Sequence, residues 1–195
     1  KMYINSGGPG ESHLYAFSLK DFPSSGAVAT PNSPAPYDVY SKHGGSNDAH
    51  GMLLNESNKG RFLWIADRFS NDIEVVSAKT DELVDSFSLA GPMSADPAPD
   101  LIEMAPGGDL AFVSLRGECP LTANSAAANN AVGTTPGLGV IRVERDGREG
   151  RLAAVLPISN PAPAGFDCAT RTDDAPGSIT NQADPHGLAV LATKR

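Results

Sequence analysis

Cysteine and aromatic residues are scarce in this chain of 195 residues: two cysteines, one tryptophan, and 6% Phe, Trp and Tyr together. Cys119 and Cys168 do not form a CxxC pair, which removes zinc-ribbon and thioredoxin-type chemistry and leaves at most one disulfide. Positive charge is also short, with 15 Lys and Arg against 23 Asp and Glu and a formal net charge of -8. A nucleic acid or an anionic membrane surface needs a Lys/Arg-rich face, which nothing in this sequence supplies. No apolar run reaches the roughly 18 to 20 residues that a membrane-spanning helix requires. Common catalytic signatures are missing as well: there is no G-x-S-x-G elbow, P-loop, H-E-x-x-H or dinucleotide fingerprint. The chain starts at Lys1 with neither a Met nor a signal-like apolar segment, so a processed or partial chain is expected.

What is plentiful is turn chemistry. Twenty Gly and 16 Pro, in a chain that is 40% hydrophobic and 19% charged, suit a soluble all-β protein of many short strands. The length fits one domain, residues 1–195. One disulfide between Cys119 and Cys168 would favour an exported protein, periplasmic or extracellular; two free buried thiols are the alternative. The sequence also carries one glycosylation-type sequon, Asn55-Glu56-Ser57, a pattern short enough to arise by chance.

An internal repeat organises the chain. RFLWIADR (61–68), DLAFVSLR (109–116) and KMYINSG (1–7) align with Trp64, Phe112 and Tyr3 in register. A second strand follows each, DIEVVSA, GLGVIRVE and SHLYAFSL, and a polar turn then leads to another, as in KTDELVDSFSL and DGREGRLAAVLPI. In the last of these Leu152, Ala154, Leu156 and Ile158 alternate at period two. One more strand precedes each FLWIADR-type strand: DAHGMLLNE, APDLIEMAPGG and DPHGLAVLAT. Four short antiparallel strands repeating every roughly 40 to 50 residues are the pattern of β-propeller blades, with an unrelated β-sandwich as the competing architecture. His50 and Asp100 are 50 residues apart, and Asp100 and His186 are 86 apart; two long insertions, Gly117 to Pro136 and Ser159 to Ala183, absorb the difference.

FLWIADRFSNDIEVVSAKTDELVDSFSLAG followed by PAPDLIEMAPGGDLAFVSLRG resembles the YVTN-type propeller repeat of lactonase-like proteins. In that repeat a strand leads to x-I-x-V-I-D-x-x-T-x-x-V and then P-x-G-I-A-x-S-P-D-G. Ser77 stands where the family usually has Asp, and Gly107-Gly108 replaces the usual Asp-Gly turn. The expected fold is all-β, a β-propeller of four-stranded antiparallel blades with about three blades in this chain. The units fall at approximately 1–47, 48–96 and 97–183, with 184–195 the first strand of a further or ring-closing blade. Because propellers typically need four to eight blades, either the chain is a segment of a longer protein or copies assemble to complete a ring.

Such a fold brings His50, Asp100 and His186 to one channel mouth, with Asp48 and Asp184 beside the histidines and both long insertions on the same face. Two functions of different class follow. One is an exported binding or interaction protein whose loop-rich face recognises a protein, peptide or glycan, or docks further blades from the same or another chain. In that case the histidines cap strands while Gly51 and Gly187 permit a tight turn. The other is a metal-binding or hydrolytic propeller. Its first ligands are His50, His186 and Asp100, which suit copper or zinc, and Asp48 and Asp184 orient the rings. The resemblance extends to propeller copper oxidases, reductases and lactone hydrolases, which place histidines or carboxylates at this mouth. No organic cofactor is implied. Arg171 to Asp174 and Asn71-Asp72 offer oxygens to calcium but lack the spacing of a calcium loop. His13 and His43 are expected in polar loops.

Overall fold

The computed structural model describes residues 1–8, 10–22, 35–43, 47–57, 60–171 and 178–191. The described residues are all-β, in three antiparallel sheets. The first sheet holds β1 (Met2–Gly8), β2 (Glu11–Phe17) and β3 (Tyr37–His43) in that order. The second holds β4 (Ala49–Ser57), β5 (Gly60–Asp67), β6 (Asp72–Ser77) and β7 (Glu82–Ser88). The third runs β8 (Pro99–Met104), β9 (Leu110–Leu115), β10 (Gly137–Glu144) and β11 (Glu149–Pro157). Each is an up-and-down meander, and the described residues close neither a barrel nor a ring.

The sheets stack face to face, which explains the unbroken apolar run in β5. Successive side chains of a strand point to opposite faces. Trp64 and Ala66 therefore face the third sheet, meeting Ile102, Ala111, Val113, Leu115 and Ile141. Leu63 and Ile65 face the first sheet, meeting Leu14, Tyr3 and Val39. A strand covered on both sides reads as continuously hydrophobic, whereas β7 at the outer edge is mostly exposed and mixes Glu82, Asp85 and Ser residues with its apolar ones. Trp64 is fully buried, meets Phe87 edge-on at 5.0 Å between ring centroids, and donates its indole N–H to the Gly147 carbonyl at 2.7 Å. One large side chain thus ties the second sheet to a turn of the third.

Polar ties complete both interfaces. Between the first and second sheets, Lys42 pairs with Glu74 at 2.8 Å and Tyr40 donates to the same carboxylate at 3.1 Å, while Tyr3 and Tyr37 both donate to Asp81. Between the second and third, Asn71 donates to Asp96 and accepts from the Ala98 N–H. The Gly107-Gly108 turn places Gly108 at φ +73°, a left-handed conformation that suits glycine.

Two expectations change, and two weaker signals of the sequence can be placed. Residues 182–191 contain no strand, because no neighbouring strand supplies a ladder of hydrogen-bond partners. His13 and His43 lie in β2 and β3, not in loops, and His13 stacks on Tyr15 at 5.7 Å. Asn55 of the sequon is buried beneath Gly147, a position incompatible with a glycan on the folded chain. Asn71, named with Asp72 as an oxygen source for calcium, has its side chain engaged between sheets, while Thr172 to Asp174 and residues 192–195 lie outside the described residues.

Candidate functional site

The first strands of the second and third sheets share one irregularity. β4 pairs with β5 as Ala49 to Asp67 and then Met52 to Ile65, and β8 pairs with β9 as Pro99 to Leu115 and then Ile102 to Val113. Both slips enclose two residues, so His50 and Asp100 occupy the same place in their sheets. A bulge re-aims the side chains it contains, and here it turns both toward a common point. Gly51 is part of this geometry: a Cβ there would come 1.9 Å from the Asp100 carbonyl oxygen.

His186 joins them from the segment beyond the third sheet. Its carbonyl accepts from Ser114 Oγ at 2.6 Å, as the His50 carbonyl accepts from Asn5 Nδ2 at 2.8 Å. His50 Nε2 then lies 3.1 Å from Asp100 Oδ1, and His186 Nδ1 lies 2.8 Å from Asp100 Oδ2. The two imidazole rings are 5.4 Å apart, and Asp100 is fully buried between them. Asp48 and Asp184 sit beside this group, and each is bonded to a guanidinium.

Those guanidiniums belong to Arg68 and Arg116, which the sequence reading passed over. Arg116, fully buried, bonds Asp184 through Nε at 2.6 Å and Nη2 at 2.9 Å, and reaches Asp100 through Nη1 at 2.5 Å. Arg68 clamps Asp48 through Nε at 2.8 Å and through Nη2, and its Nη1 stands 3.6 Å from Asp100. An alternating row results: Asp48, Arg68, Asp100, Arg116, Asp184. The available signal was the shared terminal arginine of RFLWIADR and DLAFVSLR, which a single charged residue at a strand end does not distinguish from a solvated one.

The row governs what the histidines can do. Three carboxylates face two guanidiniums, leaving one negative charge with both imidazoles neutral. Arg116 only donates, so His186 Nδ1 has two roles. It accepts from Arg116 Nη1 at 2.8 Å when the proton is on Nε2, and donates to Asp100 when Nδ1 is protonated. Burial is the main influence on His50 and lowers its pKa below the ordinary 6.5; Asp100 and Asp48 oppose this, while Arg68 and His186 reinforce it. Burial works against the charge of Arg116, but its bonds to Asp184 and Asp100 outweigh this and hold its pKa above the ordinary value.

As metal donors the three residues fit in part. One ligand atom from each of His50, Asp100 and His186 lies within 4.8 Å of the others. Asp100 Oδ1 is buried without a hydrogen bond and has His50 Nε2 as its near neighbour. Ligands of one tetrahedral ion with bonds near 2.1 Å sit about 3.4 Å apart, which the His50–Asp100 pair approaches. His186 Nδ1 and Asp100 Oδ2 are already engaged by Arg116, a cation that an ion would have to displace.

The insertions build the surroundings. Cys119 and Cys168 form a disulfide and, with Ile179 and Phe166, a small apolar cluster of their own. The first insertion runs over the charged row: Thr122 and Ala123 carbonyls accept from Arg116 and Arg68, the Leu121 N–H donates to Asp184, and Asn130 Nδ2 donates to Asp48. Between this loop and the first sheet an open cleft of about 360 Å³ is lined by Gly7, His50, Arg68, Asn124 and Ser125. No family model matches the chain, and no curated protein matches it.

Proposed function

We propose that this chain is a run of YVTN-type propeller blades that works as an exported binding module, with the face carrying the two disulfide-linked insertions as its recognition surface. The observation that carries the reading is the anchoring of these insertions. The first rests its carbonyls on Arg68 and Arg116, and the second is fastened to it by Cys119–Cys168 and by Thr170, whose hydroxyl donates to the Pro120 carbonyl at 2.6 Å. Loops held rigidly on a β scaffold present a preorganised surface, the usual means by which loops bind partners. The His50–Asp100–His186 group then acts as a joint between blades, its carboxylate shared by two histidines and two arginines. The disulfide also fits a periplasmic or extracellular location.

The test is a screen of the purified chain against immobilised glycans and peptides. Binding that disappears in the Cys119→Ser/Cys168→Ser variant and persists in His50→Gln supports the reading. A chain that binds nothing, or binds equally well without the disulfide, refutes it.

Asp100 Oδ1, buried without a hydrogen bond, favours a second reading, a copper or zinc ion held by His50, Asp100 and His186. Dialysis against each metal followed by elemental analysis tests it. One equivalent of metal, lost in both His50→Ala and His186→Ala, would replace the joint with a metal centre.

A further inference from the structure

The interface between the first and second sheets holds three charged groups that the repeat does not require. Lys42 of β3 reaches the second sheet, where its Nζ lies 2.8 Å from Glu74 Oε1 and 3.6 Å from Asp67 Oδ2. Both carboxylates are buried, with side-chain exposures of 3% and 0%. With Trp64 aligned on Phe112, the strand registers match Asp67 with Leu115 and Glu74 with Gly139. The third sheet thus has a leucine and a glycine where the second has two acids. Buried ion pairs are often no more stabilising than apolar residues of similar size, so packing alone does not account for this group.

Asp67 is held as an electrophile would be. Its Oδ1 accepts three backbone N–H groups, from Asp48 at 2.9 Å, Phe69 at 3.0 Å and Ser70 at 3.1 Å. Its Oδ2 is buried and makes no hydrogen bond among the described residues, with the Lys42 amine 3.6 Å away. Donors gathered on one carboxylate oxygen stabilise the negative charge that develops there when a nucleophile adds to the carbon. The other oxygen is left free to depart.

We propose that Lys42 and Asp67 condense to an intramolecular isopeptide bond, with Glu74 carrying the protons. Nζ adds to Cγ of Asp67, the charge that develops on Oδ1 is held by the three N–H groups, and the Cγ–Oδ2 bond breaks. The ammonium gives up two protons through Glu74, and both leave with Oδ2 as water; the third stays on the amide nitrogen. Glu74 ends unprotonated, and the opposite charges of Lys42 and Asp67 disappear together, so the step consumes no oxidant, reductant or activating group. Tyr40 donates to Glu74 Oε1 at 3.1 Å and fixes that carboxylate beside the amine.

Burial raises the pKa of Glu74 against the opposing effect of Lys42, which suits it to take up a proton. Burial works against the charge on Lys42, but Glu74 and Asp67 outweigh it and keep its pKa above the ordinary value, so the neutral amine is a minor form. A bond made once per chain tolerates a minor form, because groups held in position react at very large effective concentrations. The link ties the first sheet to the second independently of the disulfide, which lies in the insertions of the third.

Intact mass spectrometry of the reduced, denatured native chain should give the sequence mass less one water, and proteolysis should yield a branched peptide joining Lys42 to Asp67. Lys42→Arg and Glu74→Gln should have the full sequence mass, with circular dichroism spectra like that of the native chain. Asp67→Asn should be lighter by one ammonia, the group that its condensation with Lys42 releases. A native chain of full mass overturns the bond. So does a water deficit that persists in Lys42→Arg or maps to a linear peptide, such as one holding Asp146-Gly147. A deficit that persists in Glu74→Gln overturns the proton-carrying role of Glu74. Should a variant fail to fold, the presence or absence of the branched peptide in the native chain decides alone.

Discussion

Replacing Arg116 with Met tests whether the charged row holds the sheets together. Methionine retains much of the aliphatic stem and removes the guanidinium, so the packing volume changes little. Asp184 loses a two-point ion pair and Asp100 loses its nearest cation, leaving Arg68 3.6 Å away. Both carboxylates are buried, and the Thr122 carbonyl loses its donor. Removing one partner of a buried ion pair costs about 3–5 kcal/mol, because the remaining charge is stranded. At about 2–4 °C per kcal/mol for a chain of this size, Tm should fall by roughly 6–20 °C in calorimetry at pH 7. Arg151→Met provides the contrast, since its pair with Glu144 is exposed on both sides and such pairs contribute at most about 1 kcal/mol. If Arg116→Met melts no lower than Arg151→Met, the row is incidental and the account of the site fails.

Further outcomes follow from the same contacts. Cys119→Ser/Cys168→Ser opens a loop set by a separation of 49 residues, which the chain-entropy estimate values at roughly 4 kcal/mol; reductant should lower Tm of the native chain but not of the variant. Gly51→Ala should destabilise by about 1–3 kcal/mol through overpacking against the Asp100 carbonyl, and a denaturant midpoint equal to that of the native chain would contradict the bulge geometry. His50 favours its neutral form when folded, so its contribution is complete above pH 6.5 and is lost as pH falls below that value toward its lowered folded pKa. The drop in denaturant midpoint between neutral and mildly acidic pH should therefore shrink in His50→Gln. Glu74 has the opposite sign: burial, opposed by Lys42, raises its pKa above 4.5, so its contribution is complete below 4.5 and is lost as pH rises through the folded value. The stability of Glu74→Gln relative to the native chain should rise over that interval, and a flat difference would refute the assignment.

The strands were readable because β5, β6, β9 and β10 are rich in β-branched residues, joined in β5 and β9 by aromatics, with Gly, Pro and Asn near their ends, and tertiary contacts agree with local preference there. The repeat spacing also located the position that His50 and Asp100 share, since both lie in a slip at the start of the first strand of a sheet. Arg68 and Arg116 were not readable. Their burial depends on carboxylates 16 to 68 residues away in sequence, and nothing local separates a buried arginine from a solvated one. Residues 184–191 show the converse: the sequence has strand chemistry, but a strand exists only where another strand pairs with it.

The alternating row bears on how such a chain lengthens over evolutionary time. Each four-strand unit brings one carboxylate at its start and one arginine at the end of its second strand, as Asp48 with Arg68 and Asp100 with Arg116 illustrate. Duplicating a whole unit therefore adds no net charge to the interior. Gaining or losing half a unit strands one buried ion, at about the cost worked out for Arg116→Met. The charge balance of the row is thus kept when whole units are added and broken when half units are.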